Sequence, residues 1–437
     1  MTDRRVLMIA YDFPPSGESG VHRILRFMRH LPESGWVPSI VTVQPACYPS
    51  YRKTDPSLLD RVPERIEVVR TPVFSLLDPL IAWRNRLFRR GTSPPAAEGG
   101  GEPTHSPSPY QRFKDFVTTL ASIPDEQIGW LLPAVWASVR AIRRQGISVL
   151  YTTGNPWTTH LIGLSVAALT GIAWVADFRD PWVGNPYVEK AAWLRRIDAW
   201  LEARVVARAT RVIANTDSLA RHFGSRYPEA GEKFLTIPNG FEEEDFAGLP
   251  EPIPRRTPPF TICHAGTIYS RRTPTALFEA LTASEALREN FRIRLIGGVE
   301  EPTRFAREVE RYRLTPIVEI HPPIPHAQAL HELARADLLL VLQNDAPLQI
   351  PGKLYEYLRI GRPILAVTEG GATAELIESC RAGWVAGDAG QIATALEAAV
   401  ERLSTARPPA PSPEVVRAFD TRHLTARLAA LFEAISG

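Results

Sequence analysis

The feature that most limits how this 437-residue chain can fold is a repeated alternation of short apolar runs with helical segments. The alternation opens with RVLMIA at residues 5–10 and a Pro/Gly-rich loop. Apolar residues then recur at helical spacing over residues 21–31, and VPSIVTV follows at residues 37–43. A strand, a loop, a helix and a strand in this order form a βαβ unit, which gives parallel strands and a right-handed crossover. The pattern predicts parallel α/β sheets.

The alternation occurs in two series separated by a linker. The first continues through ISVLYTTG, IAWVADFRD, RVIANT and FLTIPNG, and the second contains FTICHAGT, FRIRLIGG, VEIHPP, DLLLVLQ, RPILAVTE and GWVAGD. Residues 240–259 between them are rich in proline and acidic side chains, as domain linkers often are. We therefore predict an N-terminal Rossmann-like domain over residues 1–240 and a C-terminal one over 259–413. The amphipathic segment 414–437 is predicted to be a helix that returns to the N-terminal domain.

One segment belongs to neither series. Residues 91–109 are rich in Gly, Pro and Ser, so they bury too little apolar surface to order themselves, and we expect a mobile insertion in the N-terminal domain. The stretch before it, PLIAWRNRLFRR, combines Trp83 and Leu87 with four arginines, which suits an anionic membrane surface. A helix packed on the N-terminal domain explains this stretch equally well.

The composition excludes several classes of protein. A formal net charge of +2 gives no electrostatic reason to expect a nucleic-acid partner. Cys47, Cys263 and Cys380 are too far apart in sequence for a metal-ligand motif or a disulfide framework, which favours a reducing compartment. No apolar run is long enough for a signal-peptide core or a membrane span. We expect a cytoplasmic protein, with peripheral contact to the inner face of the cell membrane as a further expectation.

Cationic residues open a helix early in the second series. In HAGTIYSRRTPTALFEAL a predicted strand ends at Gly266 and Thr267, Arg271 and Arg272 follow, and a helix begins near Thr273. Helix N-termini attract anions through their free N–H groups and their dipole. The pattern predicts an anion site, and a solvated basic loop is the ordinary alternative.

A second helix of this series opens in PGKLYEYLRIGRP, with Lys353 and Glu356 one turn apart. A surface ion pair is the ordinary explanation of this spacing. However, helices that follow the strands of one sheet open at the same edge, where doubly wound folds bind ligands. Arg272 and Lys353 are therefore expected to converge on a diphosphate, and Glu356 is suited to accept hydrogen bonds from ribose hydroxyls. Together these residues predict a nucleotide-sugar site.

In their order and spacing, these motifs resemble the retaining glycosyltransferases of the GT-B fold, family 4 type. The resemblance rests on YDFPPSGESGVHR, DFRDPW, ANTDSLARHF, IPNGFEEEDF, HAGTIYSRRTPTALFEAL, RLIGG and PGKLYEYLRIGRP. It implies two Rossmann-like doubly wound domains that face each other across a cleft, with the C-terminal helix docked back on the N-terminal domain. It further implies a nucleotide-sugar donor on the C-terminal domain and a saccharide or polyprenyl-linked glycan acceptor on the N-terminal domain. No metal or other cofactor is implied.

The resemblance also assigns roles on the donor side. Arg272 and Lys353 match the basic pair on the donor diphosphate and are predicted to be catalytic, and Glu356 matches the glutamate on the ribose. Leu348 stands where the family has the first glutamate of its pair, so Gln349 or nearby backbone is the expected substitute. The other predicted donor contacts are Gly266, Thr267, Arg271 and Leu354.

Acceptor-side roles fall on two motifs of the first series. Gly17 and Gly20 match a loop whose backbone approaches the acceptor or a phosphate, although a plain turn has the same sequence pattern. In DFRD, Asp180 matches the aspartate of the family's His-Asp pair, and Arg179 occupies the place of the histidine. Asp180 is the third predicted catalytic residue and orients the acceptor, with Trp182 as a stacking wall. A helix cap is the structural alternative for Asp180.

The predicted reaction is same-face substitution on a nucleotide sugar, in the synthesis of a surface polysaccharide or a related glycan. The protein contributes positioning and electrostatic stabilisation of the leaving diphosphate. Two alternatives stay open from the sequence. One is a nucleotide-sugar 2-epimerase of the same fold, which alters the donor without an acceptor. The other is a non-catalytic nucleotide-sugar-binding protein, which Leu348 keeps in consideration. The sequence names neither the sugar, the base, the acceptor nor the linkage.

Overall fold

The computed structural model describes residues 4–74, 119, 122–250, 257–405 and 409–436. The predicted insertion at 91–109 and the basic stretch with Trp83 and Leu87 lie outside the described residues. The chain divides into two compact units, of which the first is Met1–Val183, Lys190–Val212 and Phe432–Gly437 and the second is Gly184–Glu189 and Ile213–Leu431. The domain boundaries at residues 240, 259 and 413 stay a prediction.

The first sheet is built from β1 Arg4–Ile9, β2 Trp36–Val43, β3 Glu67–Thr71, β4 Val149–Gly154, β5 Ala173–Phe178, β6 Arg211–Ala214 and β7 Phe234–Thr236. Its strand order is β3-β2-β1-β4-β5-β6-β7, and β1 pairs in parallel with both β2 and β4. The sequence pattern did not predict β3. This strand lies at the edge of the sheet, and it is only partly buried, so it lacks the continuous apolar run of the inner strands.

Five α-helices of the described residues belong to the same part of the chain: α1 Gly20–His30, α2 Leu131–Gln145, α3 Thr158–Thr170, α4 Ala192–Arg208 and α5 Asp217–Arg226. The predicted apolar face of α1 is confirmed, because Val21, Ile24, Leu25 and Met28 are buried. Helix α2 packs against α3, and α3 packs against α4, so these three helices form one layer.

The second sheet is built from β8 Phe260–Ala265, β9 Phe291–Ile296, β10 Val318–His321, β11 Leu338–Leu342, β12 Ile364–Val367 and β13 Gly383–Ala386. All six predicted strands of the second series are present, in the order β10-β9-β8-β11-β12-β13, and neighbouring strands pair in parallel. The helices of this half are α6 Thr275–Ala283, α7 Glu285–Asn290, α8 Pro302–Arg311, α9 His326–Arg335, α10 Gly352–Ile360, α11 Ala372–Cys380, α12 Ala389–Ser404, α13 Pro413–Arg417 and α14 Thr421–Ile435.

Both sheets have the strand order of a doubly wound fold, so the predicted fold class is confirmed. In such sheets ligands bind at the carboxyl ends of the strands, where the strand order reverses. That point lies beside β1 and β4 in the first sheet and beside β8 and β11 in the second. None of the described helices combines the length and the apolar character needed to cross a bilayer.

Candidate functional site

Helix α10 is anchored so that its first turn lies at the carboxyl end of β8. Leu354, Tyr357 and Leu358 are buried in the core of the second unit. The backbone N–H of Ala265, the last residue of β8, donates a 3.1 Å hydrogen bond to the Tyr357 hydroxyl. These contacts bring Lys353 to the switch point of the second sheet.

The ammonium group of Lys353 is held by two acceptors. Its Nζ donates to the carbonyl of Ala265 at 2.6 Å and lies 3.3 Å from Nε2 of His264. Nδ1 of His264 lies 2.9 Å from the Leu340 carbonyl, which can only accept, so Nδ1 carries the proton and Nε2 accepts from Lys353. A lysine ammonium has three N–H groups, which leaves one without a partner among the described residues. That group is available to a phosphate oxygen.

Gly266 makes room for this ammonium. The residue has φ +128°, a conformation that other L-residues rarely adopt, and a Cβ at this position would lie 2.4 Å from Nζ of Lys353. A side chain at this position would therefore displace the Lys353 ammonium. A contact between Gly266 and the donor stays a prediction.

The surroundings of Lys353 disfavour its charged form unless an anion is bound. Burial and, to a smaller extent, the nearby charge of Arg272 lower the pKa of its ammonium to about 8, against the opposing effect of Glu356. Burial, together with the charge of Lys353, also lowers the pKa of His264 to about 3, so His264 is a neutral acceptor. The Lys353 ammonium is desolvated and lies near a second cation, so a bound diphosphate would stabilise its charged form.

Arg271 and Arg272 both contact the short segment Gly184–Glu189 of the same unit. The Arg272 guanidinium lies 5.1 Å from the centre of the Tyr187 ring and donates to the Tyr187 hydroxyl. Arg271 donates to the Pro186 carbonyl at 3.1 Å and pairs with the carboxylate of Glu189 at 3.3 Å. Of the two, Arg272 is the one whose charge is felt by Lys353.

The remaining predicted donor contacts differ in how accessible they are. Glu356 is largely covered, and its Oε1 lies 3.2 Å from Nε2 of His326. Thr267 is half-buried, and Gln349 is buried. The side chain of Leu354 is fully buried in the core, so only its backbone can contact a donor, and that contact stays a prediction.

Sequence reasoning missed a buried amide at the same edge of the second sheet. Gln343 directly follows β11, and its backbone N–H extends the sheet by donating to the Val367 carbonyl at 3.0 Å. Both polar atoms of its side chain are buried without a partner among the described residues. An unpaired buried amide is costly, so a ligand or a water is expected to satisfy it. The available signal was a polar residue directly after the apolar run DLLLVL.

In the first unit, Gly20 lies directly against the guanidinium of Arg179. A Cβ at Gly20 would lie 1.5 Å from NH1 of Arg179. The Arg179 side chain is fixed by the carbonyls of Gly154, at 3.0 Å, and Asn155, and by a 3.5 Å ion pair with Asp12. The structure thus brings together two of the predicted acceptor-side residues, Gly20 and Arg179.

The other three predicted acceptor-side residues have different surroundings. The Gly17 N–H donates to the Lys53 carbonyl at 2.9 Å, and Asp180 is half-buried next to Arg179. Trp182 is only 4% exposed and stacks on Trp157 with ring centres 5.3 Å apart and an interplanar angle of 3°. The predicted role of Trp182 as a stacking wall is wrong, since its ring is packed in the core.

A buried ion pair connects these residues to the core. Arg23 of α1 makes two 2.8 Å hydrogen bonds to the carboxylate of Asp177 in β5, which also accepts from Tyr151 at 2.6 Å and Thr153 at 2.8 Å. Burial alone raises the pKa of Asp177, but the charge of Arg23 and these hydrogen bonds outweigh it and hold the pKa below its ordinary value. The sequence analysis did not identify this network.

His160 is a second missed polar residue. Nε1 of Trp174 donates to the Thr152 hydroxyl at 2.9 Å, so the hydroxyl proton is directed to Nδ1 of His160, also at 2.9 Å. The proton of the neutral imidazole is then on Nε2, which is buried beside Gly154 and has no partner among the described residues. Burial lowers the pKa of His160 to about 3. A lone histidine in a helix gave no signal of this arrangement.

Two family models match most of the chain. Residues 20–240 match the model described as glycosyl transferase 4-like domain, and residues 259–405 match the one described as glycosyl transferases group 1.

Individual proteins of the same kind are similar to the chain. D-inositol 3-phosphate glycosyltransferase from Geodermatophilus obscurus is 25% identical over 217 residues, which span 46% of this chain and only 48% of that enzyme. The structure of Anabaena Alr3699/HepE in complex with UDP has a TM-score of 0.64 at 15% identity, over 99% of this chain and 100% of that chain. Sucrose-phosphate synthase from Thermosynechococcus elongatus has a TM-score of 0.64 at 16% identity, over 99% and 98% of the two chains.

Proposed function

The chain belongs to the glycosyltransferases of the GT-B fold and family 4 type, and from this we propose that it transfers a sugar, with retention, from a nucleotide-sugar donor to a saccharide or lipid-linked acceptor. The observation that carries the proposal is the Lys353 ammonium, which is held by two acceptors, has one N–H left over and lies near Arg272. The similarity to HepE, solved in complex with UDP, supports uridine nucleotides as the first donors to test.

On the donor side, Lys353 and Arg272 bind the diphosphate and neutralise the charge that grows on it as the sugar leaves. Glu356 accepts hydrogen bonds from the ribose hydroxyls. The side-chain amide of Gln343 has no partner among the described residues and is available to a hydroxyl of the donor. It would substitute for the glutamate that the family has at the position of Leu348. Because the two cations supply positive charge to the leaving group, we propose that the reaction needs no metal ion.

The reaction itself exchanges one bond on the sugar for another. The bond from the anomeric carbon to the departing phosphate oxygen breaks, and a bond to the acceptor oxygen forms on the same face. The acceptor's proton passes to the departing phosphate oxygen. Asp180 orients the acceptor hydroxyl, and Arg179 stands beside it on the acceptor side. The protein's contribution is therefore positioning and charge stabilisation.

The donor is identified first, by thermal stabilisation with a panel of nucleotide sugars. The correct donor is expected to stabilise the protein by about 2.7 kcal/mol at roughly 100 times its Kd. With that donor, release of the nucleoside diphosphate is measured with and without lipid-linked saccharides extracted from membranes, and the anomeric configuration of the product is read by NMR. We expect release that depends on the acceptor, a retained configuration and an unchanged rate in EDTA.

The other outcomes of this experiment each reject part of the proposal. A donor whose sugar changes without an acceptor identifies an epimerase. Binding without turnover on any acceptor identifies a non-catalytic binder. An inverted product rejects same-face substitution, and a loss of rate in EDTA rejects the metal-free reaction.

Gly20 offers a specific test of the acceptor side. In Gly20→Ala, the new methyl group occupies the place of the Arg179 guanidinium, which then loses its contacts with Gly154, Asn155 and Asp12. We expect a moderate fall in the melting temperature, and a fall of about tenfold or more in kcat/KM for the acceptor when activity is measured well below that temperature. Gly224→Ala is the matched control, because a Cβ at Gly224 in α5 meets nothing within 4 Å. Equal activity of the two variants would show that Arg179 has no role in turnover.

A further inference from the structure

The layer formed by α2, α3 and α4 presents large apolar side chains to the solvent. Five of them are exposed by between 38% and 72%, and they are Leu132, Trp136, Leu169, Trp193 and Trp200. On α2 the exposed residues form one stripe, with Leu132, Trp136 and Arg140 one turn apart. The opposite side of α2 packs inward through small buried residues such as Ala134 and Ala141. The apolar side chains therefore lie on the outer face of the layer.

Arginines accompany these side chains. The exposed arginines of helices α2 and α4 are Arg140, Arg143, Arg144, Arg195, Arg196, Arg204 and Arg208. Two of them cover the tryptophans, since Arg140 lies 5.7 Å from the ring of Trp136 and Arg204 lies 4.4 Å from that of Trp200. We call this surface the Arg-Trp face, defined by the five apolar residues and these arginines.

The Arg-Trp face has no compensating negative charge of its own. No exposed side chain within α2, α3 and α4, all of which are described, carries a carboxylate. The two acids of α4 are buried: Asp198 pairs with Lys190 at 2.7 Å, and Glu202 accepts from the Val183 N–H at 3.0 Å. Of the arginines, Arg144 alone pairs in the structure with an acid, Glu67 of β3, as far as the described residues show. The face is strongly cationic although the whole chain carries a net charge of only +2.

We propose that the Arg-Trp face docks on an anionic lipid bilayer. Tryptophan and arginine are the side chains that combine an apolar body with a polar end, and they are stable at the depth of lipid headgroups. The charge of the face complements anionic phospholipids. A second copy of the chain fits the face poorly, because a two-fold interface places arginines opposite arginines.

The proposal agrees with a lipid-linked acceptor but does not depend on one, because none of the residues that define the face is assigned a role in transfer. Its test therefore uses binding alone. The intact protein is sedimented with vesicles of phosphatidylcholine, with and without phosphatidylglycerol, at low salt. We expect binding to the anionic vesicles, weak binding to the neutral ones, and a decline with added salt.

Two double variants test the face, and both change exposed residues only. Trp136→Ala with Trp200→Ala removes apolar contacts, and Arg140→Gln with Arg204→Gln removes two charges; each is expected to lower vesicle affinity about tenfold or more. The control, Arg307→Gln with Arg402→Gln, removes two exposed charges elsewhere in the chain and should bind like the wild type. Absence of binding by the wild type, or unchanged binding by both test variants, overturns the proposal. So does a wild-type oligomer in sedimentation velocity that either test variant dissociates, since the face is then an interface between copies.

Discussion

Lys353→Ala is expected to cause the largest loss of activity of any single substitution on the donor side. The ammonium is the one cation held in place by both Ala265 and His264, and its free N–H is available to the diphosphate. Loss of a hydrogen bond to a charged group costs about 1.5–3 kcal/mol, or an affinity for nucleoside diphosphate about 10- to 150-fold lower. The charge on the leaving group grows during the reaction, so kcat is expected to fall further, by roughly 10²- to 10³-fold. Calorimetric titration with the nucleotide, beside turnover measurements, checks both values.

An exposed ion pair with the same helical spacing is the matched control. Arg288 and Glu285 of α7 lie three residues apart, as Lys353 and Glu356 do, and their charged groups are 3.6 Å apart on the surface. Arg288→Ala is expected to change stability by a few tenths of a kcal/mol and activity not at all. If Lys353→Ala behaves like Arg288→Ala, then Lys353 is only a structural cation and the donor lies elsewhere. Lys353→Ala removes a desolvated charge, so lost stability is not expected to account for lost activity.

The same interaction makes nucleotide affinity depend on pH. The pKa of Lys353 is about 8 in the free protein, and a bound diphosphate favours the charged ammonium and raises that pKa. Above pH 8 the complex therefore holds a proton that the free protein has lost. The affinity for the nucleotide is highest below about pH 8, and it declines by up to about tenfold per pH unit as the pH rises through that value. Lys353→Ala should show a flatter profile over this range, and an affinity that rises with pH would contradict the assignment.

The position of Lys353 and Glu356 at one edge of the second sheet was predictable because its signals are local in the sequence. Lys353 and Glu356 are one turn apart on a helix, and the doubly wound topology directs such helix starts to one edge of a sheet. The acceptors of Lys353 were not predictable, since His264 lies 89 residues away and its tautomer depends on the Leu340 carbonyl of the neighbouring strand β11. The burial of the Leu354 side chain follows from its position next to Lys353 on the helix, because neighbouring helix positions point to different faces.

The acceptor side was less predictable. Gly20 and Arg179 were both named from motifs, but their contact depends on the pairing of β1, β4 and β5. Trp182 was assigned as a stacking wall from its place in the DFRDPW motif, yet tertiary packing stacks it on Trp157. Asp177 occurs in a run that reads as an ordinary buried strand, and its partner Arg23 is 154 residues away. No spacing rule connects such residues.

Asp177→Asn is expected to lower the free energy of unfolding of the first unit by about 3–5 kcal/mol, because it removes the carboxylate charge that pairs with the buried Arg23 guanidinium. Thermal and denaturant unfolding measure this loss. Arg4→Ala is the control: it breaks the exposed pair between Arg4 and Glu433, 2.6 Å apart in the same unit, and is expected to cost less than about 1 kcal/mol. Replacing both Arg23 and Asp177 by leucine removes both charges and is expected to recover much of the loss.

The pair also matters for the site, and its pH dependence separates charge from packing. Arg23 is three residues after Gly20, and Asp177 is two before Arg179, so the ion pair holds the two acceptor-side residues against each other. The folded pKa of Asp177 is depressed, so its contribution to stability is full above the unfolded value of about 3.9 and is lost as the pH falls through the folded pKa. The stability difference between the wild type and Asp177→Asn should therefore be constant at neutral pH and shrink below about pH 4. A difference that stays constant into acid would assign the loss to packing, and the ion pair would then have no part in holding Gly20 against Arg179.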